Sequence, residues 1–310
     1  MTPVKIVFMG TPEFAAASLR ALLEKGYEVS GVWTRMDAAA KRGMKLLPPP
    51  VKVLAQAHGL PVFQPKNLRG AETLEQLRAL APDVIVVAAY GRLLPPAVLA
   101  LPRLGCVNVH ASLLPKYRGA SPISAAILGG ERETGITVMH MAEGLDTGPM
   151  LLQRKLDILP DEPFGSLHDR LAALGAEALL AALPPLARGE LPDIPQDDAA
   201  SCYAPVVRNE DCRVDFTRPV EAVARQIRAY DPAPGAFAQL GETRMKLFGA
   251  SACEGAGAPG TILGCDKKGL RVACGTHAVR VAEVQAQGGK RLPAQAFFNG
   301  HRALLAERFC

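Results

Sequence analysis

The stretch CVNVHASLLPKYRGASP, residues 106–122, runs from a short apolar strand pattern into a loop that contains two prolines. Asn108 and His110 interrupt the apolar run two positions apart. Because side chains alternate between the two faces of a strand, both project from one face while Val107 and Val109 occupy the other. Ligands of open α/β sheets bind beyond the carboxyl ends of the strands, so this strand end predicts a functional site.

Strand-like apolar runs alternate with helical patterns through residues 1–190. We expect strands over 4–9, 27–33, 83–89, 105–110, 135–141 and 149–158. We expect helices over 12–25, 51–59, 73–81 and 166–190, the first with Thr11 as its N-cap. This alternation predicts an α/β fold whose mostly parallel sheet is covered by helices on both faces.

The composition changes after residue 190. Residues 191–207 are rich in Pro and Asp, and we interpret them as a linker between a first domain, 1–190, and a second, 208–310. The second domain begins with a predicted helix over 219–230 and continues with short strands separated by glycines. Regularly spaced short strands of this kind predict a small β-barrel.

The bulk composition is that of an ordinary soluble protein. The 310 residues suit two domains, and 49% of them are hydrophobic and 21% charged. The net charge of +5 permits an anionic partner without requiring one. The N-terminal apolar run is short and interrupted by Lys5, which indicates a strand instead of a signal peptide, and no apolar run predicts a membrane span.

Cysteine and glycine patterns argue against several bound groups. The seven cysteines form no C-x-x-C pair, which favours reduced thiols in a cytoplasm over disulfides or a zinc site. The turn GTPEF, residues 10–14, lacks the G-x-G-x-x-G spacing, and no G-x-x-x-x-G-K-[ST] motif occurs, so bound NAD or ATP is not expected. We predict no metal, no membrane association and no protein partner.

A carboxylate completes the candidate chemistry. Asp146 stands between glycines in AEGLDTGPM, residues 142–150, and can reach His110 if the two strands are neighbours. A histidine can accept a proton from an attacking amine, an amide can donate to a developing oxyanion, and a carboxylate can orient the imidazole. With no G-x-S-x-G motif, this set predicts acyl transfer without a covalent enzyme intermediate. The residues alone leave a structural role for His110 open, since lone strand histidines are more often structural.

Several motifs together resemble the folate-dependent formyltransferases, in particular those that act on methionyl-tRNA. The resemblance runs nearly end to end and is carried by FMGTPEF (8–14), PPPVKVLA (48–55), AAYGRLLP (88–95), NVHASLLP (108–115), GLDTGPML (144–151) and RAYDPAPGAF (228–237). It implies a Rossmann-like formyltransferase domain followed by an OB-like barrel that helps to hold tRNA.

The resemblance also implies roles for individual residues. Asn108, His110 and Asp146 match the catalytic trio of the family, with His110 as general base, Asn108 as oxyanion donor and Asp146 as the residue that positions His110. The segment that contacts the co-substrate 10-formyltetrahydrofolate matches Ser112, Leu113, Leu114 and Pro115, and the pteridine pocket matches Arg92, Leu93 and Leu94. The implied reaction is formyl transfer to the α-amine of methionine on initiator tRNA.

The loop 34–50 is the implied approach to the tRNA acceptor stem, with Arg42 at the position of the tRNA-contacting arginine of the family. Further basic candidates for tRNA contact are Lys41, Lys45, Lys116 and Arg118. The loop departs from the family pattern at Met36, Ala38, Ala39 and Lys41, and the barrel departs from it at Ala233, where a Trp is usual. The alanines favour a more helical loop.

The catalytic core does not by itself identify the formyl acceptor. The same catalytic core also fits transfer to a small amine, such as an amino sugar nucleotide, or hydrolysis of formyltetrahydrofolate. A tRNA-binding protein with an inactive formyltransferase domain is a further alternative. The predicted barrel favours tRNA, because OB-type barrels commonly hold nucleic acids and a small amine would not need one.

Overall fold

The first part of the chain forms a seven-stranded sheet in the computed structural model, which describes residues 4–39 and 46–310. Its strands are β1 (Lys5–Gly10), β2 (Glu28–Trp33), β3 (Ala38–Ala39), β4 (Leu46–Leu47), β5 (Val62–Phe63), β6 (Val84–Ala88), β7 (Cys106–His110), β8 (Arg118–Gly119), β9 (Glu133–His140), β10 (Met150–Asp157) and β11 (Tyr203–Ala204). The order across the large sheet is β10-β9-β7-β6-β1-β2-β5, while β3 pairs with β4 and β8 with β11.

The helices of this part of the chain are α1 (Glu13–Glu24), α2 (Pro50–Ala57), α3 (Ala71–Ala79), α4 (Pro96–Leu99), α5 (Pro122–Gly129) and α6 (Phe164–Ala187). Every residue of β6 and β7 is buried, which explains their continuous apolar sequences at the centre of the sheet. The predicted α/β fold with a mostly parallel sheet is confirmed, since β5, β2, β1, β6 and β7 run parallel.

The strands β9 and β10 run antiparallel to their neighbours at one edge of the sheet. The connection between them, residues 141–149, is short. A parallel crossover needs about a dozen residues or more, so a connection of this length favours an antiparallel pair.

The start of α1 differs from the prediction. Pro12, not Thr11, is the N-cap, and no side chain caps the helix. The carbonyl of Pro12 instead accepts hydrogen bonds from the backbone amides of Ala15 and Ala16. The Thr11 hydroxyl lies 3.5 Å from the carbonyl oxygen of Tyr90. The expected Thr11 cap is therefore wrong, because the hydroxyl is directed to the neighbouring loop.

By length and composition alone, α6 is apolar enough to cross a membrane, although no apolar run of the sequence predicted a span. Half of its most apolar window is buried within the fold. Buried core helices of soluble proteins meet the same criterion, so this is weak evidence for a membrane span.

Residues 191–204 are hydrogen-bonded to the first part of the chain. Ile194 exchanges two backbone hydrogen bonds with Met150, and β11 pairs in parallel with β8. Asp197 caps a short 3₁₀ turn by accepting the amide of Ala199. The segment interpreted as a linker thus contributes a strand and a turn to the region that follows β7.

The C-terminal part contains α7 (Val220–Ala229) and α8 (Ala294–Gly300) and the strands β12 (Phe237–Leu240), β13 (Thr243–Cys253), β14 (Ile262–Asp266), β15 (Gly269–Ala273), β16 (Ala278–Ala286) and β17 (Leu292–Pro293). Its antiparallel sheet has the order β12-β13-β16-β15-β14. Phe309 and Arg308 bridge Leu240 at one edge and Thr261 at the other, so the C-terminus joins the two edges and closes the predicted barrel.

The chain divides into two compact units. One comprises Met1–Pro122, Glu133–Asp157 and His168–Ala204, and the other Ile123–Arg132, Ile158–Leu167 and Pro205–Cys310. Two short segments that precede residue 190 therefore belong to the C-terminal unit. The functional division into 1–190, 191–207 and 208–310 stays a prediction.

Candidate active site

β7 carries Asn108 and His110 in the interior of the sheet. Asn108 lies opposite Val87 of β6 and Met139 of β9, and His110 lies opposite Thr137 of β9. Asn108 is 9% exposed and His110 6%. Both side chains are thus anchored to a strand that is hydrogen-bonded on both sides, which is a rigid mount for polar groups.

A backbone carbonyl orients the ring of His110. The Nε2 atom lies 2.9 Å from the carbonyl oxygen of Tyr117. Because a carbonyl oxygen only accepts hydrogen bonds, this contact requires a hydrogen on Nε2. In the neutral ring the lone pair is then on Nδ1, which lies 3.6 Å from Oδ2 of Asp146.

Asp146 reaches His110 from a loop that returns along β7. Since β9 is antiparallel to β7, the loop begins beside the start of β7, where the amide of Met141 donates to the carbonyl of Cys106 at 2.7 Å. Residues 142–146 run back towards the carboxyl end of β7 and bring Asp146 to His110. Asp146 has a φ of 52°, a left-handed conformation that Asp tolerates better than most residues.

Gly119 fixes the carboxylate of Asp146. Its amide donates to Oδ2 at 2.8 Å. The φ of Gly119 is 114°, and a Cβ at this position would lie 2.6 Å from the carbonyl oxygen of Ala204. Only glycine suits this position, because both the backbone conformation and the close approach of β11 exclude a side chain.

The side-chain amide of Asn108, a residue only 9% exposed, forms no hydrogen bond within the part of the chain that the structure describes. Buried polar side chains are usually paired, so an unused amide donor on the same strand face as His110 is a group available to a ligand. Asn108 and His110 together present an amide donor and an imidazole at one strand end.

The segment Ser112 to Pro115 is held by β9 and β10. The Thr137 hydroxyl donates to the carbonyl of Ser112 at 2.7 Å and accepts the amide of Leu114 at 3.1 Å. Gln153 donates to the carbonyl of Leu114 at 2.9 Å and to the Thr137 hydroxyl at 3.0 Å. Leu114 is buried and Leu113 is partly buried. The peptide bond before Pro115 is cis.

The residues Arg92, Leu93 and Leu94 follow β6. Because β6 is parallel to β7, they leave the same edge of the sheet as the loop after His110. Leu94 is buried and Leu93 is exposed, and Arg92 donates to the carbonyl of Lys66 at 2.8 Å. Leu93 is therefore an exposed apolar side chain on the loop that follows β6.

Two of the five predicted tRNA-contacting residues lie within the part of the chain that the structure describes. Lys41, Arg42 and Lys45 lie outside the described residues. Lys116 is exposed, whereas the guanidinium of Arg118 bonds to Gln196 at 3.0 Å and to Asp198 at 2.7 Å. The structure places Lys116 and Arg118 on the loop that carries Tyr117 and Gly119.

The base of the loop 34–50 is a short hairpin. Ala38 and Ala39 pair with Leu47 and Leu46, so the expected helical character is wrong for these alanines. Asp37 binds Lys52 at 2.8 Å and accepts a hydrogen bond from Gln64 at the same distance. The hydrogen bond from Lys52, followed by that from Gln64, lowers the pKa of Asp37.

Cys106 is not a catalytic thiol. It is 2% exposed, and burial raises its pKa to about 12, so the thiolate is not populated near neutral pH. Within residues 4–39 and 46–310, no group of three or more His, Cys, Asp and Glu side chains is arranged to hold a metal ion.

Several residues of this arrangement were not predicted from the sequence. Tyr117, Gly119, Gln153 and Gln196 act through backbone groups or side-chain amides, and nothing in their spacing indicates it. Thr137 had a weak signal, because it is a polar residue inside the apolar run of β9.

The arrangement can transfer an acyl group between bound substrates. An imidazole with its lone pair on Nδ1 can accept a proton, and the carboxylate 3.6 Å away offsets the charge that results. An unpaired amide donor on the same face can stabilise an oxyanion.

Comparison with known proteins gives a family for both parts of the chain. The family model described as "Formyl transferase" matches residues 4–183, and that described as "Formyl transferase, C-terminal domain" matches residues 207–302.

Two relatives agree with the chain in length and carry the same name. The chain is 52% identical over 307 residues to "Methionyl-tRNA formyltransferase" of Aromatoleum aromaticum, covering 99% of this chain and 97% of the relative. It is 51% identical over 302 residues to the protein of the same name from Citrifermentans bemidjiense, covering 97% and 95%. A solved structure of HypX from Aquifex aeolicus in complex with tetrahydrofolic acid shares the fold, with a TM-score of 0.68 and 22% identity, covering 96% of this chain and 47% of that chain.

Proposed function

Because the chain belongs to the formyl transferase family, we propose that it transfers the formyl group of 10-formyltetrahydrofolate to the α-amino group of methionine on initiator tRNA. The product is N-formylmethionyl-tRNA, the aminoacyl-tRNA that starts translation. The observation that carries the proposal is the group formed by Asn108, His110 and Asp146, in a chain about half identical to methionyl-tRNA formyltransferases over nearly its full length.

The proposed reaction begins with attack of the amino nitrogen on the formyl carbon. His110 accepts the proton that the nitrogen loses, at Nδ1, because Nε2 is occupied by the carbonyl of Tyr117. Asp146 offsets the positive charge of the imidazolium from 3.6 Å. The Asn108 amide donates to the formyl oxygen while this oxygen carries negative charge.

The second half of the reaction breaks the bond between the formyl carbon and N10 of the folate. N10 leaves with the electron pair of that bond and receives a proton, for which the imidazolium of His110 is the nearby source. The carbonyl reforms, and tetrahydrofolate and the formylated amine are released. His110 thus returns to N10 the proton that it took from the amine, so no further acid from the protein is required.

The donor is proposed to bind where the loops after β6 and β7 leave the sheet. The segment Ser112 to Pro115 and the residues Arg92 to Leu94 supply the walls, with apolar surface from Leu93 and Leu113. The unused amide of Asn108 supports this placement, since a buried donor without a protein partner suits an acyl oxygen.

The acceptor is proposed to be held by three regions. The loop 34–50 with Lys41, Arg42 and Lys45 approaches the acceptor stem, Lys116 and Arg118 lie near the strand end, and the C-terminal barrel binds further along the tRNA. The functional boundaries 1–190, 191–207 and 208–310 belong to this proposal. So does a cytoplasmic location, which a soluble enzyme of translation would have.

The test is a formylation assay with defined acceptors. Purified protein is incubated with a 10-formyltetrahydrofolate donor and methionyl-initiator tRNA, and formylmethionine is measured after hydrolysis of the ester. Free methionine, an amino sugar nucleotide and buffer alone replace the tRNA in parallel reactions. We expect formylation of the charged tRNA and little turnover in the other three.

The control variants are His110→Gln, which removes the proposed base, and His58→Ala, which removes an exposed histidine at the end of α2. His110→Gln should lose activity and His58→Ala should retain it. Formylation of the sugar nucleotide alone, or release of formate in buffer, would replace the proposed acceptor with a small amine or with water. Binding of tRNA without any turnover would indicate a tRNA-binding protein with an inactive formyltransferase domain.

A further inference from the structure

Gln196 lies in the segment that the sequence presents as a linker, and it contacts the turn that carries Asp146. Its Nε2 atom lies 2.8 Å from the carbonyl oxygen of Asp146 and 2.7 Å from that of Gly148. Both amide hydrogens are therefore donated to backbone carbonyls of one turn. The partners fix the orientation of the amide, because carbonyl oxygens accept and do not donate.

The oxygen of the same amide is also used. It accepts a hydrogen bond from Nε of Arg118 at 3.0 Å. Arg118 is followed by Gly119, whose amide donates to Oδ2 of Asp146 at 2.8 Å. Gln196 thus ties the backbone of the Asp146 turn to the strand that holds the Asp146 carboxylate.

The position of Gln196 is set by contacts on both sides of it. Ile194 is paired with Met150, and Asp197 caps the turn that follows. The backbone carbonyl of Cys202 accepts a hydrogen bond from the amide of Arg118 at 2.9 Å, immediately before β11 pairs with β8. The segment 194–204 therefore crosses from β10 to β8 along a fixed path, and Gln196 stands where this path passes the Asp146 turn.

The turn needs such a support. Asp146 has a φ of 52°, and the loop around it is otherwise exposed at residues 142–145 and 147. A left-handed residue in an exposed loop is held only if the surrounding contacts define it. Within the described residues, the contacts that hold Asp146 are those of Gln196, Gly119 and His110.

We propose that Gln196 is a positioning residue of the active site, which holds Asp146 against His110 through the backbone of the turn. This inference rests on the proposed formyl transfer and extends it to the segment between the two family domains. Gln196 touches neither substrate in this proposal, so its loss reduces the rate of transfer and leaves the binding of donor and acceptor unchanged.

The main variant is Gln196→Glu. It keeps the side-chain length and the acceptor for Arg118 but replaces both donors with a carboxylate oxygen that faces two carbonyls. Gln196→Met removes all three hydrogen bonds without adding charge, and it replaces Gln196→Glu as the test variant if the glutamate variant does not fold. Asp198→Asn is the matched control, since it removes the exposed partner of Arg118 and leaves the Asp146 turn intact.

The kinetic expectation is a fall in kcat of about tenfold to a hundredfold, because small displacements of catalytic groups have effects of this size. The KM values for donor and tRNA should stay within about twofold of the wild type, and Asp198→Asn should match the wild type. An effect confined to KM, or wild-type kcat in a folded variant, would overturn the proposal.

A double-mutant cycle separates positioning from a general structural role. If Gln196 acts through Asp146, Gln196→Glu should have no further effect in an Asp146→Ala background. An equal loss in both backgrounds would show that Gln196 acts independently of Asp146 and would refute the inference.

A readout without catalysis keeps this inference distinct from the proposed function. The Gly119 amide, which donates to Asp146, should exchange its hydrogen about tenfold faster in Gln196→Glu than in the wild type or Asp198→Asn. Unchanged exchange would contradict the positioning role. A wild-type protein that does not formylate any acceptor would instead overturn the proposed function, whatever the exchange shows.

Discussion

The ring of His110 is oriented by the carbonyl oxygen of Tyr117, 2.9 Å from Nε2, and not by a hydrogen bond to Asp146. The carboxylate oxygen nearest the ring lies 3.6 Å from Nδ1, beyond hydrogen-bond length. The two contacts therefore have different effects on His110. The carbonyl selects the nitrogen that carries hydrogen, and Asp146 faces the nitrogen that takes up a proton.

This division predicts the behaviour of two substitutions of His110. The amide of His110→Gln can still donate to Tyr117 but cannot accept a proton at Nδ1. Formylation should fall by about a hundredfold to ten-thousandfold, the usual contribution of a general base. His110→Ala should lose a similar factor and also some thermal stability, which a melting curve measures. Near-normal formylation by His110→Gln would exclude His110 as the base.

Asn108 should contribute to the rate at no expense in stability. Asn108→Ala removes an amide without a partner within the described residues, so its melting temperature should equal or exceed that of the wild type. The kcat should fall by about a hundredfold to a thousandfold, as for other oxyanion donors. A large loss of stability with unchanged kcat would instead indicate a structural amide.

Thr137 should control donor binding through the segment Ser112 to Pro115. Thr137→Val keeps the shape of the side chain and removes the hydroxyl that bonds to Ser112 and Leu114. Leaving the buried Leu114 amide unpaired should cost about 1–3 kcal/mol of stability in urea unfolding. The KM for the formyl donor should rise more than that for tRNA.

Thr134→Val is the control for Thr137, because Thr134 is also a buried threonine of β9. A rise in the tRNA KM alone in Thr137→Val would argue that the segment 112–115 contacts the acceptor and not the donor.

Asp83 should make the stability depend on pH in the acidic range. The amide of Lys5, and then Arg103, donate hydrogen bonds that lower the pKa of Asp83. A lowered pKa in the folded state stabilises the fold above the pKa of the unfolded chain, about 3.9. This contribution is lost as the pH falls towards the folded-state pKa.

Asp83→Asn therefore should be less stable than the wild type at pH 6, and the difference should shrink as the pH falls below about 4. Urea unfolding midpoints of the two proteins between pH 6 and pH 3 measure it. A difference that is constant over this range would show that the charge of Asp83 has no part in stability.

Thiol labelling should separate the buried from the exposed cysteines. Burial raises the pKa of Cys106 to about 12 and that of Cys274 to about 11, whereas Cys202 and Cys310 are exposed. At pH 8 a maleimide should label Cys202 and Cys310 rapidly and leave the buried pair until urea is added. Peptide mass spectrometry identifies the sites, and fast labelling of Cys106 in the native protein would contradict the packing of β7.

Much of the sheet could be predicted from periodicity, because buried central strands are continuous apolar runs bounded by turns. β1, β6 and β7 lie within a residue or two of the predicted ranges. The two-residue strands β5 and β8 have no such pattern and were not predicted. The direction of β9 was also not apparent, since a strand reads the same whichever way its neighbour runs.

By itself, the sequence determined the fold class and the identity of the polar groups at the end of β7. Asn108 and His110 share a face because strand side chains alternate with a period of two, which is a local property of the chain. Asp146, 36 residues further on, was a candidate from its glycine-flanked loop, and the motif resemblance supported it. The shared face of Asn108 and His110 needs no knowledge of how distant segments meet, whereas contact between Asp146 and His110 was expected only if their strands were neighbours.

Tertiary structure alone decided how that acid reaches the ring and what holds it there. Because β9 is antiparallel to β7, the Asp146 loop starts beside the first residues of β7, at the end opposite to His110. Contacts from Gly119 and Gln196 hold the loop where it has returned to His110. These contacts join residues 27 and 50 positions apart through backbone carbonyls and amides. Since every residue offers a backbone carbonyl and every residue except proline offers a backbone amide hydrogen, the sequence does not indicate which of these groups are paired.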